Sequence, residues 1–241
     1  MLNNTALKTE TIMNPNINPQ DMQKLLDSFY EKCIDGINKI SPPVIDTAND
    51  YLNKHQTKEL SCRAMMNVQI FKCTMSGFLT GLGGLVTLPI ALPINIITVL
   101  YFQMRMIACL AHMAGLDLHS NEAKTFVYAC LAGVSINAAL KNTGIKMGVK
   151  AAEKLLSKMP AKIMTSVNER TDAKLATKVG AKTAANFSKF MPGVGAVIGA
   201  LLDYFESRII AKRAYNWFIK DKFSDDKTKD NVIDIDDYTI E

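Results

Sequence analysis

Aromatic residues are scarce. They make up 7% of the 241 residues, and Trp217 is the single tryptophan. A core so poor in rings is built from aliphatic side chains, Met and Ala, and long stretches rich in Ala, Leu, Ile, Met and Lys favour helix over strand. Cysteine is also sparse. Cys33, Cys62, Cys73, Cys109 and Cys130 contain no CxxC pair, are odd in number, and several sit in apolar helical contexts. The pattern reads as buried reduced thiols in a reducing compartment. His55, His112 and His119 have no paired ligands nearby, which excludes zinc-type spacing. His112 lies on an apolar helix and reads as a core histidine with its hydrogen bonds met.

The common catalytic signatures are missing as well. There is no G-x-S-x-G, no HExxH and no Cys–His grouping. Gly81-Leu-Gly83-Gly84 fails the dinucleotide pattern because position 86 is Val86, and no strand leads into it. Gly180-Ala-Lys182-Thr183 fails the P-loop spacing. The expectation is a non-enzymatic chain with no cofactor and no metal.

Charge is missing altogether from residues 73–104, CTMSGFLTGLGGLVTLPIALPINIITVLYFQM, which Lys72 and Arg105 bracket. A run of that length passes the usual threshold for a membrane span. Pro89 and Pro93 fall near its middle and break a straight helix. The two arms, about 16 and 12 residues, are roughly 24 and 18 Å long, short of a hydrocarbon core of ~30 Å. A helical hairpin fits better, either re-entrant or buried in the protein. It would leave both basic flanks on one side. A second uncharged run, FMPGVGAVIGALL, occupies 190–202. Gly77 and Gly81 in the first run and Gly195 and Gly199 in the second share the G-x-x-x-G spacing, with Gly84, Pro89 and Pro93 as further packing positions. Small residues so spaced let helices approach closely, in lipid or in an ordinary core.

Apolar material is abundant: 48% of residues are hydrophobic and the mean hydropathy is +0.06, enough for one large core. The net charge of +5 hides an asymmetry, because residues 221–241 carry −5 and residues 1–220 carry +10. A basic body prefers anionic partners. The N-terminus is polar, rich in Asn and Thr, and reads as a disordered arm over 1–19 with no secretory signal. A helical domain follows over 20–220, then an acidic disordered tail over 221–241. Within the domain, helices are expected at Asp21–Ile40 (stopped by Pro42 and Pro43), Ile45–His55, Lys58–Phe71, Ile94 to a cap at Gly115, Asn121–Leu140, and from the second apolar run through Ile219.

Residues 141–182 carry ten bases against three acids. Lys146, Lys150, Lys154, Lys158 and Lys162 recur every four residues, with Ile145, Val149, Leu155 and Met159 opposite them on a helix. Lys174, Lys178 and Lys182 repeat the ladder. Such a face suits anionic lipid headgroups or serves as the solvated side of a bundle. No interleaved aromatics or recognisable motif support nucleic acid. Arg105, between apolar runs, must snorkel, pair or face a polar cavity. Asp203, just after the second run, is its candidate partner.

These residues resemble the EcsC family of bacterial proteins. The likeness rests on Gly77-Phe-Leu-Thr-Gly81-Leu-Gly83-Gly84, Thr87-Leu-Pro89, Pro93, and Gln103-Met-Arg105-Met-Ile107 ending at Gly115. It continues through Thr125-Phe-Val-Tyr128, Thr143-Gly-Ile-Lys146, Pro192-x-x-Gly195-x-x-x-Gly199 and the segment from Lys212 to Phe218, so that it covers about residues 60–219. Asn95 stands where the resemblance leads one to expect Asp, so no role of that acid carries over. The resemblance implies an all-α fold and a setting beside membrane transport, with kinship to apolar helical regions of some bacterial GTPases. It implies no particular chemistry.

Taken together, the expectation is an all-α bundle with Gly/Pro-broken apolar hairpins. Its expected role is an accessory or scaffold at the cytoplasmic face of a bacterial membrane, with anionic lipid as partner and a protein partner as a further option. Two rivals share the same residues: a membrane-perturbing or pore-forming effector, and a soluble lipid- or partner-binding helical protein.

Overall fold

The computed structural model describes residues 19–75, 94–134, 161–187 and 194–220. Over them the protein is all-α, with helices α1 (Pro19–Asp35), α2 (Val44–Lys54), α3 (Lys58–Thr74), α4 (Ile94–Met113), α5 (Asn121–Ala132), α6 (Ala161–Phe187) and α7 (Val194–Phe218).

The helix ends follow local chemistry. α1 stops at Asp35 rather than at the expected Ile40, because Gly36 turns the chain with φ +79°. A side chain there would stand 2.7 Å from the Pro42 carbonyl. The backbone N–H groups of Ile40 and Ser41 both donate to the Ile37 carbonyl at 2.9 Å, closing a tight turn before the two prolines lead into α2. Thr57 caps α3 by accepting from the Leu60 N–H at 3.2 Å, and Ser120 caps α5 by accepting from Ala123 N–H at 3.2 Å. α5 ends at Ala132, short of the expected Leu140, because Gly133 takes the left-handed conformation (φ +67°) and Val134 N–H donates back to the Ala129 carbonyl. This is a Schellman-type stop.

α4 is the axis of the bundle and packs against every other described helix. Each residue from Ile96 to Ala111 is buried. α4 is also the one described helix long and apolar enough to cross a membrane, yet 94% of that stretch is buried inside the protein. The second arm of the expected apolar hairpin is therefore core. Its hydrophobicity is met by the surrounding helices.

The contacts fix the directions of α4's neighbours. Cys73 of α3 lies by the Val99 carbonyl, and Cys62 lies 3.4 Å from Met113 Sδ, so α3 runs antiparallel to α4. Gln103 donates to Ser207 of α7 at 3.0 Å, while Tyr215 lies beside Glu59 and Arg63 of α3. α7 is thus parallel to α4 and antiparallel to α3. One end of the bundle gathers the end of α3 and the beginnings of α4 and α7. α1 is pinned by tyrosines: Tyr30 donates to the Leu118 carbonyl at 2.7 Å, and Tyr128 of α5 donates to the Leu26 carbonyl at 2.8 Å.

Candidate functional site

Five large apolar side chains stand in solvent at that gathered end: Phe71 (58% exposed) and Met75 (43%) on α3, with Leu201 (50%), Leu202 (53%) and Phe205 (37%) on α7. The α3 members belong to a stripe, with Leu60, Val68, Phe71 and Met75 spaced three, four and eight apart as one face of a helix requires. Ile209 continues the α7 side. Both uncharged runs of the sequence reach this end, since the first begins at Cys73 and the second closes at Leu202. A soluble surface tolerates scattered apolar residues, but a cluster of large ones marks a contact site. The spacing on α3 was visible in the sequence. That it faces outward was not, because the same periodicity describes a core face.

Arg105 is 2% exposed and is the largest of the fully buried side chains. Its Nη1 donates to the Cys33 carbonyl at 2.7 Å, and its Nη2 donates to the Pro42 carbonyl at 2.7 Å and to Thr47 Oγ1 at 3.1 Å. The expected pair with Asp203 does not form. Gln103 faces α7, and two residues further on, a helix has turned about 200°, so Arg105 points to the opposite side, at the α1–α2 corner. Its charge is balanced by dipoles. The Cys33 carbonyl is one of the last four of α1, where the helix carries partial negative charge, and the Tyr101 ring lies 5.6 Å from the guanidinium.

Other bases are used in the same way. Arg213 of α7 donates to the Cys130 carbonyl at 3.0 Å, and Lys174 of α6 donates to the Gly133 carbonyl at 2.7 Å, both at the C-terminal end of α5. Lys178 pairs with Glu206 of α7. At Lys174, which is exposed, and Lys178, which is half-buried, the repeat of the lysine ladder thus braces neighbouring helices. Lys146, Lys150, Lys154 and Lys158 lie outside the described residues, as does the side chain of Lys162 in the first turn of α6. Gly77, Gly81, Gly84, Pro89 and Pro93 lie outside them too. Gly195 and Gly199 fall in the opening turns of α7.

A polar cluster sits between α1, α5 and α6. Lys124 Nζ is 2.8 Å from Asp27 Oδ1 and lies over the rings of Tyr30 and Tyr128, 5.5 and 5.9 Å away. Asp172 is buried nearby, and burial, with the Asp27 charge adding, pushes its carboxyl up to about 6. Burial acts on the thiols in the same direction. All five are free and buried, and burial raises Cys62 to about 11 and Cys109 and Cys130 to about 12. His112 is half-buried, 3.3 Å from Asn49 Oδ1, and burial lowers its pKa. Among the described residues no three His, Cys, Asp or Glu side chains are grouped to hold a metal ion.

No curated protein and no solved structure matches the chain. The EcsC protein family does match, over residues 2–220, further toward the N-terminus than the motif-bearing stretch 60–219 and ending where the acidic segment begins. With nearly the whole all-α chain inside that match, this protein belongs to the EcsC protein family.

Proposed function

We propose that the protein is a non-enzymatic accessory or scaffold that associates with the cytoplasmic face of a bacterial membrane. The observation that carries this reading is the cluster Phe71, Met75, Leu201, Leu202 and Phe205 at the end of the bundle where both uncharged runs arrive. Full burial of such a side chain is worth ~1.5–3 kcal/mol, so transfer of five half-exposed ones to hydrocarbon contributes about 5 kcal/mol. That is close to one myristoyl chain, a marginal and reversible anchor. A second attraction is needed, and the +10 charge of residues 1–220 supplies a candidate, at ~1 kcal/mol for each base near an anionic surface.

Fractionation of expressing cells tests the reading. The protein is expected with the membranes at low salt, with part of it released by a high-salt wash and the rest held until alkaline carbonate. Recovery wholly in the soluble fraction at every salt concentration would overturn it. The burial of α4 favours that second reading, a soluble helical protein whose apolar end receives a partner.

A further inference from the structure

The two halves of α7 are held in different ways. Its second half buries Ile210, Ala211, Ala214, Tyr215, Trp217 and Phe218 in the core, and Arg213 braces the Cys130 carbonyl. Over residues 200–209 the helix buries no apolar side chain, although Tyr204 packs half-buried against the core. The one fully buried side chain in that stretch is polar, Ser207. The contacts that tie this half down are polar as well. Ser207 Oγ accepts from Gln103 Nε2 of α4 at 3.0 Å, and Glu206 pairs with Lys178 of α6, both partly exposed.

The layer around Ser207 is poorly matched. Gln103 and Gln69 of α3 are both buried, and the Oε1 atom of each has no hydrogen-bond partner. The two glutamines come level, because α3 and α4 are antiparallel, Cys73 lies by Val99, and four residues along each helix lead to Gln69 and Gln103. A neutral hydrogen bond adds little net stability, since water offers the same bond, and a partly exposed ion pair adds little too. A buried carbonyl oxygen without a donor costs its full desolvation. Releasing the first half of α7 gives up those weak contacts and returns Gln103 to water, whereas releasing the second half strips the core of six buried side chains.

We propose that residues 200–209 form a detachable arm, latched by Gln103–Ser207 and Lys178–Glu206, and that 210–218 is the anchor from which it swings. Opening the arm bares Gln103 on α4. A short helix away from its bundle is marginal in water, so opening registers as lost amide protection.

Hydrogen exchange of the full chain, read on overlapping peptides by mass spectrometry and corrected for intrinsic rates, tests the proposal. Amides of 203–209 are expected to exchange at least ~fivefold faster than those of 211–217, the change that one lost interaction makes. Fraying of a helix end also gives a gradient, so the latch is varied from the helices that hold it. Gln103→Leu/Ser207→Ala removes the unmet carbonyl and its partner together, and should slow exchange of 203–209 by roughly fivefold. Lys178→Met should speed it by roughly threefold. Both should leave 211–217 within about twofold. Circular dichroism checks that each variant is folded, and where one is not, the other decides. Either variant moving 203–209 in the stated direction, with 211–217 in place, supports the latch. Uniform protection from 203 to 217 overturns the proposal. So does a gradient that neither variant moves, which is end fraying, and so does a change shared equally by 211–217, which means that α7 opens as one unit.

Discussion

Arg105 and Asp172 are both buried ionisable side chains, and the structure treats them in opposite ways. Arg105 is supplied with two carbonyls, a hydroxyl and an aromatic face, all neutral, and with the negative end of α1. Charge-assisted hydrogen bonds of this kind contribute more than neutral ones, and their loss leaves buried acceptors unmet. Arg105→Met is expected to lower stability by about 2–4 kcal/mol in urea denaturation. Arg105→Lys should recover only part of it, because one ammonium cannot span acceptors that the planar fork reaches together. A loss under ~0.5 kcal/mol for the Met variant would show that the corner does not need the cation.

Asp172 faces burial and the Asp27 carboxylate, so its folded-state pKa of about 6 lies above the 3.8 of the free side chain. The folded protein then binds the proton more tightly than the unfolded chain. Its destabilising contribution is complete above about pH 6 and fades as pH falls toward about 4. A shift of that size corresponds to ~3 kcal/mol at most, and residual water contact reduces it to about 1–2 kcal/mol. Asp172→Asn should raise the melting temperature at neutral pH and have little effect near pH 4. Equal effects at both pH values would assign the gain to packing instead.

At the scale of elements, the C-terminus of α5 depends on its neighbours as well as on its own sequence. Gly133 accepts the left-handed turn, and a methyl group there would stand 2.9 Å from Arg213 Nη2, the guanidinium that braces the Cys130 carbonyl. Gly133→Ala is expected to destabilise by about 1–3 kcal/mol, combining backbone strain with displacement of Arg213. In an Arg213→Ala background the cost should shrink toward the strain alone. Full additivity would mean that the guanidinium moves aside freely. The same region shows why element ends were only partly legible. Gly115 and the caps Thr57 and Ser120 act within a turn of their own helices, and the start of α4 at Ile94 follows from Pro93. Gly36 and Gly133 ended α1 and α5 early, because a following glycine outweighed apolar periodicity that ran on past it.

At the scale of the whole molecule, charge is partitioned between a body of +10 and a terminal stretch of −5. If the acidic stretch competes with anionic lipid for the basic body, deletion of 221–241 should increase binding to anionic vesicles, most strongly at low salt where screening is weakest. Unchanged or weaker binding after deletion would count against masking. Part of the positive charge is already engaged by the protein itself, since Arg105, Arg213, Lys174 and Lys178 hold carbonyls or a carboxylate of neighbouring helices.

Helical class, the apolar runs, the buried thiols and the family followed from sequence alone, because each depends on residue type and on spacing within one helix. Three further properties came only with tertiary structure: that α4 is the buried axis, that Arg105 serves the α1–α2 corner instead of Asp203, and that one stripe of α3 faces outward. The partners of Arg105 lie 58 to 72 residues away in the chain, and periodicity within a helix carries no information on which neighbour covers a face. A stripe of apolar residues is the same string of letters whether it meets core, solvent or lipid, and only the packing of the other helices distinguishes them.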